Sequence, residues 1–111
     1  MWSYSTFAAT HIESVKEHVE VVYTNPQLEI IASPNPFTDA ISLEITAINC
    51  KPAFVKVFDL IGVQREFVNL APLNNQNIFK VSFKNLPPGV YFCNVYSDSK
   101  LLESIKIISV Q

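Results

Sequence analysis

Short runs of alternating apolar and polar residues dominate this chain from Leu28 onward, and clusters of turn-forming residues separate them every 8–12 residues. Residues 41–46 and 78–83 alternate most clearly, with the period of two that places successive side chains on opposite faces of a strand. Val, Ile and Thr account for 28 of the 111 residues, whereas Gly occurs only twice. Because β-branched side chains favour strands over helices, the pattern predicts an all-β domain.

Seven strands are predicted between residues 28 and 111, and their number and spacing are typical of an immunoglobulin- or fibronectin-like antiparallel β-sandwich. The predicted strands are Leu28–Ala32, Ile41–Thr46, Phe54–Asp59, Val63–Leu70, Ile78–Phe83, Val90–Ser97 and Leu101–Val110. Six aromatic residues occur at alternating positions of these strands and are predicted to lie in the core: Phe54, Phe58, Phe79, Phe83, Tyr91 and Phe92. Phe92 and Tyr96 fall on the face opposite Tyr91, so an exposed aromatic patch is the alternative for these two.

Residues 1–27 have a different pattern and are interpreted as a segment upstream of the domain. Thr10 and Glu13 have the spacing of a helix capping box, while residues 19–23 are rich in valine. The segment is therefore predicted to be a linker, or a short helix followed by an added strand. Asn25-Pro26 ends it, and the domain is predicted to span residues 28–111.

Composition excludes several classes of function. The net charge is −2, with only eight Lys and Arg, so a nucleic-acid partner is not expected. No uncharged run approaches the roughly 18 residues of a membrane-spanning helix, and Met1–Tyr4 lacks the features of a secretory signal. No transmembrane segment is expected.

Nothing in the sequence predicts catalysis, a metal site or a cofactor. His11 and His18 lie in the upstream segment, and Cys50 and Cys93 match no zinc-binding spacing. The two cysteines are interpreted as buried or half-buried thiols, with a disulfide between them as the less favoured alternative.

Four short motifs occur at turns or at the end of the last strand. In SPNPF (33–37), Pro34 and Pro36 end a strand, and Asn35 is predicted to hydrogen-bond nearby backbone. In FDLIG (58–62), the turn from Asp59 ends at Gly62, which supplies a positive φ.

The other two motifs are NLPPGVYFCNV (85–95) and ESIKIISVQ (103–111). Gly89 and Tyr91 follow the pattern of a tyrosine corner, in which the hydroxyl bonds to backbone a few residues upstream. Lys106 and the carboxylate of Gln111 give the last strand a polar end. If that strand lies at an open sheet edge, its unpaired backbone groups would allow a partner to dock by strand addition.

Taken in order, the four motifs resemble the C-terminal sorting domain of type IX secretion, the Por secretion system of Bacteroidetes. The resemblance covers residues 28–111. It implies a non-catalytic secretion signal at the end of a longer precursor, whose cargo domain lies upstream. The implied partners are the outer-membrane type IX translocon and a sortase-like peptidase, which removes the domain near its N-terminal edge and attaches the cargo to the cell surface or releases it.

Two features depart from the family pattern. Val63 follows Gly62 where the family often has a basic residue, and the last strand carries Lys106 but no charged side chain at Ser109 or Gln111. The alternative function is a fibronectin-like binding or spacer module of a secreted polysaccharide-degrading or adhesive protein. An exposed coplanar row of aromatic rings would favour that alternative.

Overall fold

The computed structural model describes residues 12–15, 20–71 and 77–110, with side chains in the latter two ranges. Two antiparallel sheets contain every strand of this part of the chain, and the core lies between them. Sheet A has the order β1-β2-β3-β4-β7 and sheet B the order β6-β5-β8-β9. The strands are β1 (Ile12–Val15), β2 (Val21–Thr24), β3 (Leu28–Ser33), β4 (Ala40–Ala47), β5 (Phe54–Asp59), β6 (Gln64–Asn69), β7 (Ile78–Lys84), β8 (Gly89–Tyr96) and β9 (Leu101–Ser109).

The predicted sandwich is confirmed. The seven strands predicted after residue 28 correspond to β3–β9, and their arrangement places the first, second and fifth in one sheet and the other four in the second. The fourth of these strands lies beside the third, whereas in an immunoglobulin constant domain it joins the sheet of the first, so the distribution is fibronectin-like.

The total of seven strands is too low, because the N-terminal segment adds two strands to sheet A. Residues 12–15, predicted to lie in a linker or helix, form β1 instead. The added strand that was predicted to follow the helix is β2, which pairs with β3 in antiparallel register. The side chains of Val21 and Tyr23 are fully buried, so β2 is held by the core, and β1 pairs with β2 in turn.

Alternation along the strands separates core from surface. Ile41, Leu43 and Ile45 of β4 are buried, as are Phe79 and Phe83 of β7. Burial of such side chains is the main stabilising term of a sandwich this small, at about 1.5–3 kcal/mol for each large apolar residue.

One part of the core prediction is wrong. Phe54 and Phe58 are half-buried on the outer face of sheet B, and Val55 and Val57 occupy the inward positions of β5. Both faces of β5 carry apolar residues, so the positions of the apolar residues alone do not assign the inner face. Phe92 and Tyr96 are half-buried on the face opposite Tyr91, where the alternative placed them.

Candidate functional site

The four sequence motifs meet at one end of the sandwich, although they are far apart along the chain. β3, β5 and β7 run toward this end, and β4, β6 and β8 begin there. β9 also ends there, because Ser109 pairs with Gly89. We call this surface the motif end and define it as residues 34–39, 59–63, 85–89 and 108–110.

Asn35 links the first motif to the last strand. Its side chain is 1% exposed. Nδ2 donates to the Lys106 carbonyl over 3.1 Å, and Oδ1 accepts from the Ile108 amide over 3.0 Å. The bonds to Pro34 and Pro36 are both cis. Asn35 was predicted to bond nearby backbone, and this is wrong, because its described partners lie 71 and 73 residues away.

The backbone of Phe37 continues the same contact. Its amide donates to the Ile108 carbonyl over 2.8 Å, and its carbonyl accepts from the Val110 amide over 2.8 Å. Phe37 is thereby paired in parallel with Ser109, and its side chain is 1% exposed. Residues 35–37 therefore cover the edge of β9 from Lys106 to Val110, and this stretch is not the open edge that strand addition would need.

The Asp59 carboxylate organises the second motif. Oδ1 accepts from the amides of Ile61 at 3.1 Å and Val63 at 2.9 Å, and Oδ2 contacts Arg65 Nε at 3.1 Å and Nη2 at 3.0 Å. The Val63 amide, followed by the Arg65 guanidinium, lowers the pKa of the Asp59 carboxyl. Gly62 has a φ of +90°, which an L side chain would strain although no atom obstructs a Cβ there.

The third motif forms the predicted tyrosine corner. The Tyr91 hydroxyl donates to the Pro87 carbonyl, four residues upstream, and the side chain is 4% exposed. A second bond ties this turn to β9, because Ser109 Oγ donates to the Leu86 carbonyl over 3.0 Å. Both bonds fix the turn between β7 and β8 against sheet B.

An apolar groove of about 300 Å³ separates the second and third motifs. Leu60 and Ile61 lie on one side of it, and Pro87 and Pro88 on the other. Ile61 is 84% exposed and Leu60 66%. Since Asp59 and Arg65 neutralise each other beside the groove, this surface is suited to apolar contact with a partner.

Lys106 lies on the half-buried outer face of β9, opposite Phe92. Gln111 is outside the described residues. Three residues that organise the motif end were not predicted as site residues: Phe37, Arg65 and Ser109. Phe37 stands inside the first motif, but no local pattern connects its backbone to β9.

A separate surface feature is a stack of three aromatic rings on the outer face of sheet B. Phe54 lies between Phe67 and Tyr96, with ring centroids 5.4 and 5.0 Å apart and interplanar angles of 10° and 21°. Lys56 Nζ lies 5.5–5.9 Å from all three centroids. The stack combines offset ring packing with cation–π contact.

Chemically reactive groups do not converge in the described ranges. Burial raises the pKa of the Cys93 thiol to about 12 and also raises that of Cys50, and both cysteines are free. Among these residues no group of three His, Cys, Asp or Glu side chains is arranged to hold a metal ion. His11 and His18 lie outside the described residues. Helices capable of crossing a membrane are absent from residues 12–15, 20–71 and 77–110.

Comparison with known families gives a match to a secretion-related domain family. The family described as "Secretion system C-terminal sorting domain" matches residues 32–111, which include all four motifs. No curated protein matches the chain.

Proposed function

The chain belongs to the family of secretion system C-terminal sorting domains, and on this premise we propose that residues 28–111 direct a cargo protein through the type IX outer-membrane translocon. The family supports the role of a C-terminal secretion signal, with secretion through the outer membrane. The further steps of the proposal are removal of the domain by a sortase-like peptidase and release of the cargo or its attachment to the cell surface. No step of this role requires catalysis by the chain itself.

The convergence of four distant motifs on the motif end is the observation that carries the proposal. A sandwich needs turns at both ends, yet the turns of the first three motifs and the last residues of the fourth lie at one end. That end also carries the exposed apolar side chains of Leu60 and Ile61 beside a groove. Exposed apolar surface with a fixed backbone is typical of a protein interaction site.

Recognition is proposed to use side chains of the motif end rather than the edge of β9. Asn35 and Phe37 already pair with this edge, so a docking strand would first have to displace these two residues, whose side chains are buried. The groove beside Ile61 needs no such rearrangement. Lys106, on the outer face of β9, and Gln111 remain proposed polar contacts for the partner.

The aromatic stack lacks the geometry that would favour the alternative, a fibronectin-like binding or spacer module of a secreted polysaccharide-degrading or adhesive protein. The ring centroids are only 5.0 and 5.4 Å apart. Two rings lying side by side in one plane could not come this close, because their edges would collide. The rings therefore turn their faces toward each other. Phe54, Phe67 and Tyr96 therefore do not form a coplanar row of open ring faces on which a polysaccharide would stack.

The test is export of a fluorescent reporter fused behind a signal peptide and ahead of residues 1–111, in cells with and without a type IX translocon. Reporter should reach the medium or the cell surface only in the competent strain. Reporter retained in the periplasm of both strains would contradict the proposal.

Two exposed isoleucines at opposite ends provide a matched pair for locating recognition. Ile61→Lys places a charge at the motif end, and Ile48→Lys does the same at the far end, where the side chain is 61% exposed. Both variants should fold normally, and only Ile61→Lys should lower export. Equal export by the two would exclude the groove as the recognition surface.

A further inference from the structure

Three sheet edges have described side chains, and they differ in how they are protected from pairing with another chain. Residues 35–37 cover the motif-end half of the β9 edge. β7 exposes Lys80 and Lys84 along its length, and lysines on an edge strand oppose pairing with a second sheet. β6 is neither covered nor lined with lysine; Arg65, beside an irregularity of the β5–β6 pairing, protects its start, and the exposed side chains beyond it include Phe67.

The free backbone groups of β6 belong to alternate residues. Val68 and Glu66 pair with Val55 and Val57 of β5, and the flanking bonds from Leu70 to Ala53 and from Asp59 to Val63 fix which residues face β5. Because peptide groups alternate in direction along a strand, those of Phe67 and Asn69 point away from β5. No described strand lies beyond them.

Phe67 is also the outermost ring of the aromatic stack. Its neighbour Phe54 lies 5.4 Å away on one side, while β6 is the last strand of sheet B on the other. The ring is 46% exposed. A strand added at this edge with an aromatic residue opposite Phe67 would therefore lengthen the stack.

We propose that two copies of this chain pair their β6 strands in antiparallel register about a two-fold axis at Phe67. Such an axis passes through a residue whose peptide groups point outward. Arg65 lies at the irregularity of the β5–β6 pairing, and an axis there would also place two arginines opposite each other. An axis at Asn69, the last residue of β6, would leave little overlap. Centring on Phe67 places Arg65 opposite Asn69 and Glu66 opposite Val68, so no like charges meet.

In this dimer, Phe67 of one copy stacks against Phe67 of the other, and the rings form one row of six across the two sheets. The two four-stranded sheets B join into a sheet of eight strands. Because the pairing is antiparallel, the two motif ends point in opposite directions. Each remains accessible, so dimerisation is compatible with recognition at the motif end.

Sedimentation equilibrium of the purified chain between about 1 μM and 1 mM tests the proposal. The mass should rise toward that of a dimer with increasing concentration. Phe67→Lys should raise the dissociation constant about tenfold or more. Asn69→Pro should do the same, because it removes an outward amide without removing a bond to β5.

Ile48→Lys is the control, since it places the same charge on another exposed apolar position and should leave the dissociation constant unchanged. Circular dichroism melts of all variants establish that they fold. A chain that stays monomeric throughout, a dimer that persists in Phe67→Lys or Asn69→Pro, or a dimer lost equally in Ile48→Lys would each overturn the proposal.

Discussion

The side-chain oxygen of Asn35 accepts a hydrogen bond from the backbone amide of Ile108 over 3.0 Å, across 73 residues of sequence. The same side chain donates to the Lys106 carbonyl, so one amide group satisfies two backbone groups of the last strand. A neighbouring strand would make the same kind of pair of bonds. The asparagine between the two prolines therefore acts as a substitute for strand backbone, and it fixes the end of β9 to the turn after β3.

Replacing Asn35 with alanine should lower the free energy of unfolding by about 1–3 kcal/mol, because the Lys106 carbonyl and the Ile108 amide lose their partner in a buried position. Asn35→Asp should also destabilise, since a carboxylate accepts from the amide but cannot donate to the carbonyl. Urea denaturation at neutral pH measures both changes. Asn49→Ala, at an exposed bend, is the control and should change stability little.

Features that depend on residues close together in the sequence could be predicted from it, whereas features that depend on long-range contacts could not. The Tyr91 corner was predictable because its partner, Pro87, lies four residues away. The contacts of Asn35 were not, because no local signal identifies a partner more than 70 residues distant. The strands themselves follow from alternation, which depends on neighbouring residues only.

The sequence does contain a signal that Phe54 and Phe58 lie outside the core. Lys56 lies between them at the same alternation phase, so the three residues share one face of β5. A lysine is almost never fully buried, which assigns that face to solvent. Val55 and Val57 then belong to the core, as observed.

Tyr91→Phe should lower the free energy of unfolding by about 0.5–2 kcal/mol, because the Pro87 carbonyl loses its donor while the ring stays packed. Tyr96→Phe is the comparison, since that hydroxyl is half-buried and accepts from Asn94 Nδ2 over 3.2 Å. Tyr96→Phe should lower the free energy of unfolding by less than Tyr91→Phe. Thermal melts of the two variants should rank in this order, and a midpoint unchanged by Tyr91→Phe would show that the corner bond adds no stability.

Asp59 should make stability depend on pH in the acid range. Its pKa is lowered in the folded state, chiefly by the Val63 amide and then by Arg65. The unfolded chain then binds a proton more readily, so the stabilising contribution is present above the unfolded pKa of about 4 and is lost as pH falls through the folded value. Asp59→Asn removes this dependence.

Urea midpoints measured from pH 7 to pH 3 should therefore converge for the wild type and Asp59→Asn as the pH decreases. The other carboxyl groups are common to both proteins and cancel in the difference. Two midpoint curves that fall in parallel would show that the Asp59 contacts add no pH-dependent stability.

The two thiols should differ in reactivity toward an alkylating agent such as iodoacetamide. Cys93 is fully buried, with a pKa raised to about 12. Cys50 is half-buried, and its thiol donates to the Gln27 carbonyl over 3.2 Å. Since the thiolate is the reacting species, Cys50 should label slowly at pH 8 and Cys93 not at all in the folded protein.

Mass spectrometry of tryptic peptides distinguishes the two sites. In urea both cysteines should label at similar rates, which is the control for intrinsic reactivity. Labelling of Cys93 as fast as Cys50 under native conditions would show that β8 opens readily.

The N-terminal limit of the folded unit is the last prediction. The family match begins at residue 32, but β2 pairs with β3 and buries Val21 and Tyr23 completely. Removing these two side chains forfeits roughly 3–6 kcal/mol of burial, against a total stability of about 5–15 kcal/mol for a typical domain. A fragment of residues 28–111 should therefore unfold at a much lower urea concentration than residues 20–111.

The same argument limits where a peptidase can cut without destabilising the domain. Asn25, at the end of β2, donates to the buried Glu103 carboxylate over 2.6 Å, so a cut between β2 and β3 would also weaken the attachment of this turn to β9. We expect the fragment released after export to begin at or before Glu20, which N-terminal sequencing of that fragment measures. A fragment beginning at Leu28, or equal urea midpoints for the two truncations, would show that β2 is dispensable and that the folded unit starts at β3.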